Sequence, residues 1–329
     1  MAESSVVPFG LQGLSQWLQQ RRHLILDGAL ATELQRRGAD LNDPLWSAKL
    51  LLAQPELIRA VHLDYFRAGA DVATTASYQA TFEGFAQRGL GADEAARLMR
   101  LSVQLALEAR DAFWADAVGQ FAHVGRARPL VAASVGPYGA MLADGSEYRG
   151  HYAIDEDALM AFHRPRLAVL AQAGADLLAV ETIPCLAEAR AVARLLRQEW
   201  PATPAWISFS CADGVHNSQG ELLADCVAAL EGYAQIVAIG INCTAPQHIA
   251  SLVARARART AKPIVVYPNA GETYDAVSKQ WVPAGHAAHT PFAEQALRWA
   301  DAGACLIGGC CRTTPTDIAA LFARWSAAG

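Results

Sequence analysis

Short apolar runs alternate with longer amphipathic stretches from one end of the chain to the other. Each short run is almost continuously apolar and rich in β-branched or small residues, which is typical of strands buried on both faces. The runs predicted as strands are residues 23–27, 71–75, 130–135, 176–181, 205–209, 236–243, 263–267 and 305–310. Several intervening stretches carry apolar residues at helical spacing. The clearest predicted helices are residues 56–68, 161–173 and 187–199.

The order of these elements predicts the fold. Strands that alternate with helices indicate an α/β protein with a parallel sheet, and eight such units indicate closure into a (β/α)8 TIM barrel. A recurring Ala-Gly segment places Gly69, Gly174 and Gly303 where a helix ends before a strand, a position that suits a left-handed backbone. Because no linker or low-complexity segment interrupts the pattern, residues 1–329 are predicted to form a single domain.

Two connections are much longer than the others. Residues 136–151 follow the third predicted strand and residues 269–289 follow the seventh, and both are rich in glycine, tyrosine and polar residues. Long loops at the carboxyl ends of barrel strands are where barrel enzymes bind substrate. The alternative is that both are ordinary loops that face solvent.

Composition and charge exclude several classes of protein. Hydrophobic residues make up 53% of the chain and charged residues 18%, which argues against disorder. The formal charge is −5 and there is no basic run, so nucleic acid and anionic membranes are poor candidates for partners. Residues 1–10 lack the pattern of a signal peptide, and no apolar stretch approaches the roughly 20 residues that span a bilayer. A cytoplasmic protein is therefore expected, either a monomer or a small homo-oligomer.

Three of the seven cysteines follow barrel strands. Cys243 closes the sixth predicted strand, and Cys310 and Cys311 close the eighth. The carboxyl ends of all barrel strands meet at one rim, so these thiols should converge in space. Three protein ligands with one open position are usual for catalytic zinc, and soft thiolates select this ion. Gly308 and Gly309 would let the strand bend so that both neighbouring cysteines face one ion.

Two alternatives to a metal site remain open at this point. Cys310 and Cys311 could form a reversible disulfide in a thiol-redox protein, or all three thiols could be inert core residues. If zinc does bind, three thiolates give the centre a net charge of −1. Such a centre is a weak Lewis acid but can take a substrate thiol as a thiolate, which favours sulfur alkylation as its chemistry.

Two acidic residues are predicted at the same rim. Asp27 ends the first strand and Glu181 ends the fourth. Both could bind the ammonium group of an amino-acid substrate. The alternatives are a helix cap for Asp27 and a structural loop role for Glu181. His286 and His289 lie in a loop without a glutamate-bearing helix, so they are not predicted to bind metal.

Taken together, these motifs resemble the homocysteine S-methyltransferase family over nearly the whole chain. The resemblance is carried by LDGALATELQRRG (26–38), TTASYQAT (74–81), VGPYGAMLADGSEYRG (135–150), VETIPCLAEA (180–189), INCTAP (241–246), YPNAGETYD (267–275) and GGCCRTTP (308–315). It implies a barrel with zinc on Cys243, Cys310 and Cys311, and homocysteine sulfur at the open position. It further implies that Asp27 and Glu181 hold the amino-acid part of homocysteine, and that Gly28 and Ala29 offer backbone contacts. Tyr78, in the second rim loop, is a further candidate for binding substrate.

The resemblance also indicates the methyl donor. Betaine-using members carry an extra C-terminal arm, and cobalamin- and folate-dependent relatives are much longer, whereas this sequence resembles the short type that uses S-methylmethionine or S-adenosylmethionine. The product is then methionine. A betaine-type donor, and selenocysteine or selenohomocysteine as acceptor, are alternatives. Alternatives of another class are a thiol-redox or zinc-buffering protein, and a metal-free lyase with Glu181 as its base.

Overall fold

The computed structural model describes residues 10–41, 46–120, 126–275, 280–283 and 290–327. Its strands are β1 (Leu24–Ile25), β2 (Val72–Thr74), β3 (Leu130–Val135), β4 (Leu177–Ile183), β5 (Ala205–Phe209), β6 (Ile236–Asn242), β7 (Ile264–Tyr267), β8 (Glu272–Asp275), β9 (Gln280–Pro283) and β10 (Leu306–Ile307). Each of the eight runs predicted as strands overlaps one of these strands. The first and last are shorter than predicted, and β4 continues two residues beyond Glu181.

Helices precede or follow almost every strand. They are α1 (Gly13–Gln20), α2 (Leu30–Arg36), α3 (Leu50–Ala53), α4 (Pro55–Ala68), α5 (Phe82–Ala86), α6 (Ala92–Gln120), α7 (Tyr138–Leu142), α8 (Glu156–Leu170), α9 (Leu186–Glu199), α10 (Leu223–Leu230), α11 (Pro246–Arg257), α12 (Phe292–Asp301) and α13 (Pro315–Ser326). Short 3-10 helices span Trp46–Lys49 and Ser146–Tyr148. None of the helices described is long and apolar enough to cross a membrane.

The parallel strands form one sheet that closes on itself. Its order is β1-β10-β7-β6-β5-β4-β3-β2, and a parallel bridge between Leu26 and Val72 joins the two ends. The N–H of Asp27 donates to the carbonyl of Val72 at 2.9 Å across the same junction. The predicted (β/α)8 barrel is therefore confirmed, whereas the extent of the domain over all 329 residues stays a prediction.

Apolar side chains fill both sides of the sheet. An inner cluster that includes Leu24, Ala179 and the fully buried Trp206 occupies the barrel interior, and a larger cluster lies between the strands and the helices. Burial on both faces explains why the strand sequences are continuously apolar rather than alternating. At the helix ends, Gly69 and Gly303 have φ values of 115°, so the left-handed backbone expected there is observed.

Both long connections contain more structure than the sequence predicted. α7 and the 3-10 helix Ser146–Tyr148 lie in the connection after β3, and β8 and β9 pair antiparallel in the connection after β7. Thr273, Tyr274, Trp281 and Val282 supply β-branched and aromatic residues to the two strands, which favours a hairpin. The histidines at 286 and 289 lie outside the described residues.

Candidate active site

Three sulfur atoms lie together at the carboxyl rim of the barrel. Cys243 directly follows β6, and Cys310 and Cys311 follow β10. The Cys243 Sγ lies 2.9 Å from the Cys310 Sγ and 3.8 Å from the Cys311 Sγ. All three sulfurs are within 4.8 Å of one another, and within the described part of the chain they are the one group of this kind able to hold a metal ion.

The spacing of the sulfurs suits a soft tetrahedral ion. A Zn–S bond of about 2.3 Å in tetrahedral geometry separates two ligands by about 3.8 Å. The Cys243–Cys311 pair has that separation, and the 2.9 Å Cys243–Cys310 pair would have to open by roughly 0.9 Å. All three thiols are free. The donor set and its geometry therefore fit a metal ion held by three sulfurs.

Two glycines bring the cysteine pair to the rim. A Cβ on Gly309 would lie 2.2 Å from Thr313 Oγ1, and a Cβ on Gly308 would lie 2.6 Å from Leu26 Cβ. Neither glycine has a left-handed φ. The glycines are thus required by close approach of the chain rather than by the flexible bend that the sequence suggested. Beyond them, the Thr313 N–H donates to the Cys310 carbonyl at 3.1 Å and closes a turn around the pair.

The backbone of Cys243 is held in an unusual conformation. Its φ is 47°, in the left-handed region that residues other than glycine seldom adopt. Its N–H donates to the Tyr267 carbonyl at 3.2 Å, and the Tyr148 Oη lies 3.6 Å from its Sγ. Hydrogen bonds from Cys310 and Cys311 hold the pKa of Cys243 well below its usual range, and those same contacts raise the pKa of Cys310. Cys243 is therefore the sulfur best able to carry negative charge in the metal-free trio.

Asp27 lies at the same rim with its carboxylate buried. The Thr74 N–H donates to Asp27 Oδ2 at 2.9 Å, and the Thr74 hydroxyl contacts Oδ1 at 3.2 Å. Ala29, not Asp27, is the N-cap of α2, and no side chain caps that helix, so the capping alternative does not hold. Burial raises the pKa of Asp27 well above its usual value, the Thr74 N–H opposes this, and the charge of Glu181 adds to it.

Glu181 lies within β4 rather than in the following loop. Thr182, the next residue, has a φ of 61°, and the register with β5 shifts between Val180 and Ile183. Irregularities of this kind re-aim a side chain at the edge of a strand. The Ser134 Oγ donates to Glu181 Oε1. Burial raises the pKa of Glu181 to about 7, against the opposing effect of the hydrogen bonds from Ser134 and Tyr267.

A buried polar network beneath Glu181 was missed by sequence reasoning. The Tyr267 Oη accepts a hydrogen bond from Trp206 Nε1 at 2.9 Å and bonds to the Ser208 hydroxyl at 2.6 Å. Ser208 in turn contacts Asn242 Oδ1 at 2.8 Å, and that amide also bonds to Thr182. The sequence does contain a sign of this network, because Ser208 and Asn242 are polar residues within strands that are otherwise apolar. The network joins the irregular backbone after Glu181 to β6, the strand that directly precedes Cys243.

Gly28 and Ala29 lie beside the rim but are packed against other residues. A Cβ on Gly28 would lie 2.9 Å from both the Tyr65 hydroxyl and Thr313 Oγ1. The Ala29 N–H already donates to Thr313, and its carbonyl accepts from the Tyr65 hydroxyl, each at 3.2 Å. Both residues shape this part of the rim, and their contact with substrate stays a prediction.

Tyr78 lies in the second rim loop, as expected from the sequence. Its carbonyl accepts from the buried Arg166 guanidinium at 3.0 Å, and that guanidinium also bonds to the Gly136 carbonyl at 2.9 Å. Arg166 thereby ties the second rim loop to the third. Burial raises the pKa of the Tyr78 hydroxyl, and the charges of Glu147 and Cys243 add to this.

Comparison with known proteins identifies the family. The profile of the homocysteine S-methyltransferase family matches residues 24–324. The chain is 57% identical to the homocysteine S-methyltransferase YbgG of Bacillus subtilis over 303 residues, covering 92% of this chain and 94% of that protein. The chain belongs to the homocysteine S-methyltransferase family. It is therefore a methyltransferase, as the motifs around the rim indicated.

Other members of the family include proteins that differ in acceptor and a solved structure that carries metal. A selenocysteine Se-methyltransferase from Brassica oleracea is 49% identical over 306 residues, which are 92% of this chain and 88% of that one. The metallated form of the homocysteine methyltransferase MmuM from Escherichia coli superposes with a TM-score of 0.84 at 50% identity, covering 94% of this chain and 99% of that one. In this methyltransferase, the rim cysteines are accordingly the candidates for holding an ion.

Proposed function

We propose that this chain is a zinc-dependent homocysteine S-methyltransferase whose methyl donor is S-methylmethionine or S-adenosylmethionine. The observation that carries the proposal is the group of three free sulfurs, within 4.8 Å of one another, at the rim that also holds two buried carboxyl groups. Cys243, Cys310 and Cys311 would bind the ion. When bound, the ion supplies an electron-rich site at which a substrate thiol is held deprotonated near neutral pH.

Asp27 and Glu181 are suited to binding the ammonium group of homocysteine. Both carboxyl groups are buried, and the charge of Glu181 raises the pKa of Asp27. Without a nearby cation, ionising both carboxyl groups at once is therefore unfavourable. A cation placed between them would relieve that repulsion and lower both pKa values. Thr74, Ser134 and Tyr267 hold the two carboxyl groups in place through hydrogen bonds.

The transfer itself needs no covalent intermediate with the protein. The carbon–sulfur bond of the sulfonium donor breaks, its electron pair stays on the donor sulfur, and the methyl group bonds to the homocysteine sulfur. The thiol proton is released to solvent. The protein's contribution is to hold the two sulfurs and the methyl carbon in line at a separation of about 3–3.5 Å. With S-methylmethionine as donor, each turnover gives methionine twice, once from each substrate.

The decisive test combines metal content with activity. The purified protein should contain about one zinc per chain, and Cys243→Ser, Cys310→Ser and Cys311→Ser should each lose zinc and methyl transfer together. Cys305→Ser is the matched control, because Cys305 precedes β10 and lies outside the trio. Full activity in any metal-depleted variant of the trio would overturn the proposal. Comparing S-methylmethionine, S-adenosylmethionine and betaine at fixed homocysteine would identify the donor.

Selenocysteine is a second candidate acceptor. The observation that favours it is the 49% identity to the selenocysteine Se-methyltransferase of Brassica oleracea. A selenolate is a soft ligand like a thiolate, so the same three sulfurs would accommodate it. Competition between homocysteine and selenocysteine for a limiting amount of donor gives the ratio of kcat/KM values directly. A ratio that favours selenocysteine would reassign the acceptor without changing the metal site.

A further inference from the structure

The proposed chemistry does not use one carboxyl group near the three sulfurs. It belongs to Glu147, in the loop that follows β3 (residues 136–151). Glu147 lies in the 3-10 turn Ser146–Tyr148, immediately before the tyrosine whose hydroxyl is 3.6 Å from Cys243 Sγ. The Oε2 atom of Glu147 is buried and has no hydrogen-bond partner among the described residues. A buried carboxylate oxygen without a donor is costly, so its retention calls for an explanation.

The position of Glu147 is fixed by its backbone rather than by its side chain. The Ser210 hydroxyl donates to the Glu147 carbonyl at 3.0 Å. A Cβ on Gly139 would lie 2.5 Å from the Glu147 nitrogen, so the start of α7 and the turn are in close contact. The backbone of Glu147 is thus held next to Tyr148, whose hydroxyl contacts Cys243.

The charges that reach Glu147 are mostly negative. Burial, opposed by a hydrogen bond from its own backbone N–H, raises the pKa of Glu147 to about 7, with the charges of Cys243 and Asp144 acting in the same direction as burial and that of Arg149 against it. The Arg149 side chain is 58% exposed and its guanidinium contacts Asp144, 3.7 Å from Oδ2. It therefore does not neutralise the buried oxygen of Glu147. Within the described part of the chain, that oxygen has no cationic hydrogen-bond partner.

We infer that Glu147, together with the rings of Tyr78 and Tyr148, forms the subsite that binds the sulfonium group of the methyl donor. This inference rests on the proposed function, in which the donor is a sulfonium cation. The ammonium group of homocysteine is already assigned to Asp27 and Glu181, which leaves the donor as the cation for Glu147. In-line transfer also requires the sulfonium to lie close to the acceptor sulfur at the cysteine trio. Aromatic rings beside a carboxylate are well suited to a cation that carries methyl groups.

This assignment makes a specific kinetic prediction. The donor sulfur loses its positive charge as the methyl group leaves, so Glu147 binds the ground state more tightly than the transition state. Removing its charge should therefore raise the KM for the donor without lowering kcat. A residue that only supports the fold would lower kcat or the thermal stability instead.

The test compares Glu147→Gln with the wild type, using the zinc-loaded full-length protein. Calorimetric titration without homocysteine measures binding of S-methylmethionine and of methionine, which has the same α-amino acid group but a neutral sulfur. The wild type should prefer S-methylmethionine, and Glu147→Gln should reduce that preference by about tenfold or more. Zinc content and the KM for homocysteine should be unchanged.

Asp144→Asn and Glu147→Asp serve as controls for charge and for folding. Asp144→Asn removes a charge from the same loop while keeping the oxygen that accepts from the Ser146 N–H, and it should preserve the preference for the sulfonium. Glu147→Asp keeps the charge and should retain part of the preference, even if Glu147→Gln folds poorly. Equal loss of affinity for S-methylmethionine and methionine, or no loss, would overturn the inference. A wild type that binds S-methylmethionine but transfers no methyl group would instead overturn the proposed function.

Discussion

Replacing Glu181 with glutamine should change how the stability of the metal-free protein depends on pH. The Glu181 carboxyl group is buried at the rim, and its pKa rises from 4.5 to about 7 on folding. The folded protein therefore keeps a proton on Glu181 at pH values where the unfolded chain has released it. Between about pH 4.5 and pH 7 the folded state binds more protons, so the free energy of unfolding falls as pH rises.

The size of the effect follows from the difference between the two pKa values. A difference of about 2.5 units at roughly 1.4 kcal/mol per unit corresponds to about 3.5 kcal/mol in total, of which about 3 kcal/mol is lost above pH 4.5. The loss should begin near pH 4.5 and be complete slightly above pH 7, beyond which the contribution is constant. Asp27 is buried nearby and its pKa is raised in the same direction. The relevant quantity is therefore the difference between wild type and Glu181→Gln at each pH, and not the wild-type profile alone.

Urea denaturation of the metal-free protein between pH 4.5 and pH 8 measures this difference. The advantage of the wild type over Glu181→Gln should shrink by about 3 kcal/mol across this interval. Glu108→Gln, which removes an exposed carboxyl group on α6, is the surface control. Parallel profiles for wild type and Glu181→Gln would refute the argument, because they would mean that Glu181 has the same pKa in the folded and unfolded states.

Two further substitutions test the supports of the site. Tyr267→Phe leaves the buried Trp206 N–H without its acceptor, so the free energy of unfolding should fall by about 1–3 kcal/mol in urea denaturation; an unchanged midpoint would contradict the network. Gly309→Ala places a Cβ 2.2 Å from Thr313 Oγ1 and should displace the adjacent cysteine pair. Its zinc affinity, measured by chelator competition, should fall by about tenfold or more, whereas Gly232→Ala, with no atom within 4 Å of the new Cβ and no left-handed φ, should leave it unchanged.

The sequence was sufficient to predict the barrel and the convergence of the cysteines. Strands buried on both faces are continuously apolar, so they stand out from the amphipathic helices between them. Once eight parallel strands close, their carboxyl ends must meet, which places Cys243 near Cys310 although 67 residues separate them. Asp27 could be located by the same argument.

The remaining parts of the site depend on details that sequence patterns do not carry. Glu181 lies inside β4, and only the left-handed conformation of Thr182 and the shifted register reveal how its carboxyl group is re-aimed. The hydrogen bonds of Asn242 depend on side-chain directions in neighbouring strands. Glu147 belongs to a polar loop in which several acids look equivalent, and its partnerless buried oxygen becomes apparent only in three dimensions.

The last strand of the barrel is short, and backbone hydrogen bonds of Cys305, Gly308 and Cys310 extend its attachment to the sheet at both ends. β10 pairs with β1 through two residues and with β7 through two residues. Cys310 and Cys311 follow this strand, whereas Cys243 follows β6, which lies on the far side of β7. An ion bound by the three sulfurs would therefore link the end of β10 to the end of β6 across β7. It would hold the C-terminal strand and α13 to the rest of the barrel. Loss of the ion would remove this link, so catalytic activity and part of the stability of the final barrel unit would depend on the same ligand.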